Sequence, residues 1–531
     1  HGKPGDKCCG GNLISVGFAN VTRISKHVIK GKRPSFVEYC NTYPDNIFMR
    51  DNLCEHYGPS ILSKAAFYKD FTKYDDPVKV GRLDCYAFDT ALAMVHDTLS
   101  QLGFHGNSGS QWDIAEIFDD LNKKSSMGAL YSGKKGQWMH GLTPEDAISL
   151  AVESYALLNS GHLGVWSGSL KAELRHVDKL KEGKTRVFTG APIDTLLAGK
   201  ILVDNFNNYF YKCHLQGPWT VGINKFNRGW NKLANYFNHD WVFIDCDGSR
   251  FDSSIPPIMF NAVCMLRSVF GDLDPDENQT LSNLYTEIVN TPILTIEGNI
   301  IRKFRGNNSG QPSTVVDNTL ILMIAMEYAI AKVFVTRPDI KYVCNGDDLL
   351  INCPRSTANA ISEHFKDVFA DLSLNYDFDH VCDKITDVDF MSHSFMWLDT
   401  EQMYIPKLDK ERIVAILEWE RSDEQFRTRS ALNAAYIESF GYEDLMTEIE
   451  KFAHFWAKKH GLNDVLMERE KVRSLYVDEN FDASRFEKFY PESFSPFDVY
   501  VEPHASTSKT IEELQQEMED LDSDTTITVV Q

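Results

Sequence analysis

The sequence predicts an α+β protein of several core-sized units, and three observations carry that expectation. Residues 241–400 alternate strand-like and helical segments. From about 401 to 495 the chain reads mainly as helices, such as ERIVAILEWERS and EDLMTEIEKFAHFWAKKH, whose apolar residues recur at three- and four-residue spacing. The chain has 531 residues, 43% hydrophobic and 24% charged. At ~150 residues per domain that length corresponds to roughly three or four units, and the composition is that of a soluble globular protein. A mostly disordered chain, a collagen-like repeat and a coiled coil are excluded, and no repeat of solenoid period is present.

In order along the chain, residues 1 to about 80 mix short basic and aromatic runs. KHVIKGKRP is one of them, and its Lys30, Lys32 and Arg33 read either as a nuclear-import or nucleic-acid patch or as a solvated loop. Residues 81–240 hold helical patterns broken by Gly- and Lys-rich loops. From 501 to 531 there are one Lys and eight acidic residues, the composition of a flexible tail. Within it, IEELQQEMEDL can form a short amphipathic helix against a partner. Net charge is −22, so any basic patch must be local. Eleven cysteines without a C-x-x-C pair point to unpaired thiols in a reducing compartment. The start HGKPGDKCCGG lacks the apolar core of a signal peptide. The longest apolar run, Leu320 to Met326, is far short of the ~18 residues of a membrane span, so a buried helix and a soluble, intracellular chain are expected.

Four segments carry candidate chemistry. IKYVCNGDDLLIN places turn residues Asn345 to Asp348 between apolar flanks, a β-hairpin with two carboxylates at its tip. Adjacent carboxylates repel, and their hard oxygens suit Mg²⁺ or Mn²⁺. Alone such a turn is more often only a turn. WVFIDCDGSRFDSS adds Asp245, Asp247 and Asp252 after a strand-like run. A two-metal phosphoryl-transfer site needs carboxylates from at least two segments, holding ions ~3.5–4 Å apart. GNNSGQPSTVVDNTL runs a polar loop into an apolar helix, with Thr314 and Asn318 on one helical face. Short polar side chains there can read a sugar hydroxyl, or Ser313 or Thr314 can simply cap the helix. Between Lys171 and Arg186 lie six Lys/Arg and three acids, suited to a triphosphate or to a solvated face. GALYSGKKG is a further Gly- and Lys-rich loop.

These segments stand in one order: basic stretch, D-x4-D, S-G-x3-T-x3-N, GDD. The ordered set resembles motifs F, A, B and C of positive-strand viral RNA-dependent RNA polymerases. SLKAELR, APIDTLLAGK, PWTVG, GNNSGQPSTVVDNTL, NGDDLLI, FMSH and IPKL resemble the potyvirus family in particular, over about residues 26–445. The resemblance implies a right hand: an N-terminal fingertip extension at 1–80 touching the thumb, and fingers at 81–240. The palm would occupy 241–400 with a fingers insertion around 256–300, followed by a thumb at 401–500 and the acidic tail.

It further implies two Mg²⁺ (or Mn²⁺) ions on Asp247, Asp347 and Asp348, with Asp252 and Asn318 reading the ribose 2′-hydroxyl and Ser309, Gly310 and Thr314 assisting. Lys171, Arg175, Lys179, Lys184 and Arg186 would line the nucleotide channel. Lys384 would protonate the leaving pyrophosphate, Phe390 to His393 would lie near the primer grip, and Lys134 and Lys135 would guide template. Implied partners are template and product RNA, nucleoside triphosphates, the genome-linked viral protein as primer, and other viral replication proteins and host factors. Implied locations are membrane-associated replication complexes in the host cytoplasm, and the host nucleus. A start at His1 and an end at Gln531 are what excision from a polyprotein by a glutamine-specific protease leaves. A reverse transcriptase is the enzymatic rival, opposed by Gly346 and the Asp252/Asn318 pair. A non-catalytic RNA-binding scaffold is the other, opposed by retention of every metal carboxylate.

Overall fold

In the computed structural model, residues 12–21, 27–76, 82–421 and 425–482 are described. The acidic tail, including the short helix expected within it, lies outside them. At the centre is an all-antiparallel sheet in the order Lys341–Asn345, Asp348–Cys353, Val242–Ser249 and Asn375–Asp377, with Val381–Cys382 also pairing to Val242–Ser249. Its side chains alternate, as a half-buried sheet requires. Ile244, Leu349 and Ile351 pack into the main core, while Phe243, Val343 and Leu350 join a second cluster with Trp230 and Phe395.

The long helix Thr314–Val333 lies against this sheet and beside helices Cys85–Gln101 and Arg355–Asp371. It is long and apolar enough to cross a membrane, but 83% of that window is buried inside the protein. Its apolarity all round is that of a core helix.

A second five-stranded sheet runs Ile14–Phe18, Asn299–Arg302, Pro292–Leu294, Trp166–Leu170 and Val187–Gly190. Residues 257–302 form two helices, Pro257–Gly271 and Pro275–Val289, followed by two of these strands. That excursion from the central sheet thus ends within the second one. Downstream, helices Lys410–Glu418, Gln425–Glu438, Glu443–His460 and Arg469–Val477 build a separate apolar cluster. The apolar spacing of the Glu443–His460 segment gives one continuous helix. ERIVAILEWERS does not stay helical: the helix stops at Glu418, and Trp419–Glu420 becomes a strand paired with Gly31–Lys32.

The N-terminal segment ties these parts together. Its strand Ile14–Phe18 edges the second sheet, Tyr57–Pro59 pairs with Leu174–His176, and Phe36, Tyr39 and Phe48 pack among Leu417, Ile449 and Phe452. Arg33 is buried at the junction. Its guanidinium donates to the carbonyls of Leu417 (2.9 Å) and Trp419 (3.2 Å), to Thr428 Oγ1 (2.7 Å) and to Glu420 Oε1 (3.2 Å). Lys32 pairs with Glu55 and Glu418. Arg33 is therefore lost to any nucleic-acid or import patch, since it is enclosed by partners nearly four hundred residues away, while Lys30 and Lys32 stay exposed. Arg33→Ala removes one partner of a buried ion pair together with the hydrogen bonds to Leu417, Trp419 and Thr428, a change of about 3 kcal/mol or more. A urea-unfolding midpoint unchanged by Arg33→Ala would contradict this role.

Candidate active site

Strand Val242–Ser249 starts buried and becomes exposed at Asp247. The hairpin beside it turns through Gly346 and Asp347, since Asn345 pairs directly with Asp348. Gly346 has φ +59°, the left-handed value that a tight II′ turn needs at its first central residue. Leu349 stands opposite Cys246, so one step along the ladder Asp348 stands opposite Asp247. Directly opposite residues in a sheet have Cβ atoms about 4.5–5.5 Å apart. The hairpin tip is pinned from two sides. Gly346 N–H donates to Thr319 Oγ1 at 2.8 Å, and the Tyr376 hydroxyl donates to the Asp347 carbonyl.

The carboxylates sit in one another's field. Asp347 is pushed up to about 6, first by desolvation, then by the charge of Asp252, with Asp247 adding and Arg186 opposing. Asp348 is pushed up to about 7 by desolvation and by Asp347 and Asp247. Both residues nonetheless keep exposed surface. Acidic oxygens that repel and are partly desolvated are the donor set a hard divalent cation stabilises. Asp247, Asp347 and Asp348 therefore fit a divalent ion chemically.

Beside them Asn318 Nδ2 donates to Asp252 Oδ1 at 2.6 Å. This pair is oriented by a buried chain of polar groups. Asn307 Nδ2 donates to Asn318 Oδ1 at 2.8 Å, and Gln311 Nε2 links Asn307 to Asp317. Asp317 is held by Arg267 at 2.8 Å and by the Tyr285 hydroxyl at 2.9 Å, all fully enclosed. A buried network of this kind, with Arg267 Nη1 its unpaired atom, fixes side-chain orientation.

Ser309 and Thr314 are engaged within their own loop and with the second sheet. Ser309 Oγ accepts from Thr189 N–H at 3.1 Å, and Thr314 Oγ1 bonds the carbonyls of Asn308 and Ser309. Both brace the loop. Gly310 lets that loop touch the second sheet, since a Cβ there would lie 2.2 Å from the Thr189 carbonyl oxygen.

The cations converge on a residue the sequence reading passed over. Glu173 is buried and receives Arg186 through both oxygens, with Nε at 2.8 Å, Arg175 Nη1 at 3.4 Å and Lys171 Nζ at 3.7 Å. The signal was present: residues 171, 173 and 175 share one face of an extended chain. Lys179 lies on the short exposed helix Val177–Lys181 and Lys184 just beyond it, where it pairs with Glu182. Two further expectations are corrected by placement. Lys135 is turned inward, 4% exposed, its ammonium on Ser125 Oγ and the Ser126 carbonyl, so only Lys134 of the pair reaches outward. Lys384 follows the Cys382–Phe243 pairing and so stands toward the opposite end of the strand from Asp247. The structure does not bring it to the carboxylates. His393 is buried and contacts Lys225, on the side of the second cluster.

The family pattern described as "Viral RNA-dependent RNA polymerase" matches residues 37–457. The chain belongs to the viral RNA-dependent RNA polymerase family. It is 45% identical over 476 residues to the genome polyprotein of Triticum mosaic virus, covering 89% of this chain and 15% of the polyprotein. It is 46% identical over 449 residues to that of Lettuce mosaic virus (83% and 14%) and 42% identical over 497 to that of Plum pox potyvirus (91% and 16%). These relatives bear out the potyvirus likeness of the motifs. The chain spans about 15% of the length of these three polyproteins. Among solved structures, "Sicinivirus 3Dpol RNA dependent RNA polymerase" superposes with a TM-score of 0.69 at 16% identity, covering 87% of this chain and 98% of that one. The fold is shared, a right-hand α+β polymerase.

The raised carboxyls have a thermodynamic consequence. Between about pH 4 and pH 7 the native chain holds protons at Asp347 and Asp348 that the unfolded chain has released, so their contribution turns against stability as pH rises through that interval. Asp348→Asn is therefore expected to raise the melting midpoint of the metal-free protein at pH 8, with a smaller gain at pH 5. A midpoint that falls, or a gain independent of pH, contradicts the electrostatic reading.

Proposed function

We propose that the polymerase adds ribonucleotides by two-metal nucleotidyl transfer at the Asp247/Asp347/Asp348 cluster. The observation that carries this is the register that sets Asp348 opposite Asp247, with Asp347 at the adjoining hairpin tip. Asp247 and Asp347 would hold Mg²⁺ or Mn²⁺, with Asp348 beside them. Such ions, when bound, acidify an attacking 3′-hydroxyl and neutralise the triphosphate. The chain's own groups do the rest. Arg186, oriented by Glu173, faces Asp347 and stabilises charge on the leaving pyrophosphate, with Lys171 and Arg175 behind it. Asp252 and Asn318 receive the ribose 2′-hydroxyl, the group that separates RNA from DNA precursors.

The template would pass Lys134. Priming from a tyrosine of the genome-linked viral protein, work with other viral replication proteins and host factors, and location at cytoplasmic replication membranes and in the nucleus rest on the resemblance to potyviruses.

Primer extension on a homopolymer RNA template, with and without Mg²⁺, tests the reaction. Asp347→Asn should abolish extension in a folded protein, because an amide is a poor ligand for a hard cation. Wild-type turnover in that variant removes the metal role. Asn318→Ala should lower the ribo/deoxy ratio of kcat/KM by on the order of tenfold or more, because a site built for a hydroxyl rejects analogues lacking it. If single-nucleotide incorporation returns the wild-type ratio, the 2′-hydroxyl is read elsewhere.

A further inference from the structure

Two residues before Asp247 on the same strand, Asp245 points to the same face, about 6.6–6.8 Å away along the backbone. The catalytic reading does not use it, and it is only partly exposed. Both of its oxygens are engaged by the chain that follows helix Arg355–Asp371. His380 Nδ1 bonds Oδ1, and the backbone N–H of Asp389 donates to Oδ2 at 3.1 Å. Cys382 closes the group, with Sγ 3.6 Å from His380 Nδ1 and 3.9 Å from Nε2. The ligand atoms of Asp245, His380 and Cys382 all lie within 4.8 Å of one another, and no other such trio of His, Cys, Asp or Glu occurs among the described residues.

The backbone holds this arrangement as well. Val381 and Cys382 pair with Ile244 and Phe243, so the thiol is set against the Asp245 strand by a β-ladder. Cys382 is buried, whereas the His380 side chain is 66% exposed, which leaves one side of the trio facing solvent. The thiol is pushed up to about 11 by burial and by the negative charges of Asp245, Asp387, Asp383 and Asp389. Cys382 therefore sits in an electronegative recess.

We propose that Asp245, His380 and Cys382 form a zinc(II) site with three protein ligands and a fourth, solvent-facing position. With Zn–S near 2.3 Å and Zn–N near 2.0–2.1 Å, the S···N edge of a tetrahedron is about 3.5–3.6 Å. The observed Cys382 Sγ to His380 Nδ1 separation is 3.6 Å. Thiolate and imidazole donors select zinc and discriminate against Mg²⁺, so this centre differs in kind from the all-carboxylate cluster one pleat away. On binding, Cys382 gives its Sγ proton to solvent and His380 offers the Nδ1 lone pair, its remaining proton on Nε2. The ion would clamp residues 380–389 to the strand that carries Asp247, so it would position that strand without touching substrate. The proposal stands on these three residues alone and is independent of how the carboxylate cluster works.

Full-length protein stripped with a chelator is titrated with Co²⁺ in excess Mg²⁺, following the thiolate-to-cobalt charge-transfer band. The expected result is one equivalent of Co²⁺, displaced stoichiometrically by Zn²⁺. Cys382→Ser should remove the band. His380→Ala, at an exposed side chain whose loss leaves the core intact, should weaken Co²⁺ affinity by on the order of 100-fold or more. Asp347→Asn should leave the band in place, which separates this centre from the carboxylate cluster. A folded wild type without the band, or His380→Ala binding Co²⁺ as tightly as wild type, overturns the proposal and leaves an Asp–His hydrogen bond beside a buried thiol.

Discussion

The antiparallel pairing of Val242–Ser249 with Asp348–Cys353 is the constraint on which the rest of the site depends. It sets acids from segments a hundred residues apart against each other, and their mutual repulsion with partial desolvation raises both hairpin carboxyls. Such a cluster is unfavourable without a cation and must be held together by its surroundings. The surroundings do this in layers. Apolar side chains on the two faces of the sheet fix its register, Thr319 and Tyr376 fix the hairpin tip, and the helix Thr314–Val333 supplies both Thr319 and Asn318.

Positive charge is handled by the same logic with the signs reversed. A chain of net charge −22 gathers Lys171, Arg175 and Arg186 around one buried acid, Glu173. The acid lowers the cost of holding three cations close together and aims Arg186 toward Asp347. The N-terminal segment supports this wall from behind, since Tyr57–Pro59 pairs with Leu174–His176 and Ser60 bonds the backbone at Lys171 and Glu173. From there the segment continues to the buried Arg33 junction with the C-terminal helices. The cationic wall and the helical cluster at 410–477 are therefore joined through one strap.

What was legible in the sequence was what is decided locally. The hairpin at Gly346 follows from turn chemistry between apolar flanks, and the Asp247/Asp252 spacing follows from a strand running into a bend. The helix at 443–460 follows from its apolar period. What was not legible depends on partners far away in the chain. Lys135 looks like a surface cation until Ser125 and Ser126 fold over it, and Arg33 like a patch residue until Leu417, Glu420 and Thr428 enclose it. Trp419 and Glu420 carry a helical pattern but pair as a strand because Gly31–Lys32 offers an open edge. The placement of Lys384 and the meeting of Asp245, His380 and Cys382 are set by ladder register, which no local motif encodes.

Burial and like-charge repulsion keep the carboxylate cluster partly protonated until a divalent ion compensates it. Titration calorimetry with Mn²⁺ at pH 6, repeated in buffers of different ionisation enthalpy, counts the protons released on binding. Asp347 and Asp348, pushed up to about 6 and about 7, should together release a measurable fraction of a proton or more per ion bound. The release should shrink in Asp348→Asn and fade toward pH 8. Mn²⁺ binding at pH 6 with no proton release, or with release unaffected by Asp348→Asn, would show that the cluster is not held protonated before the ion binds.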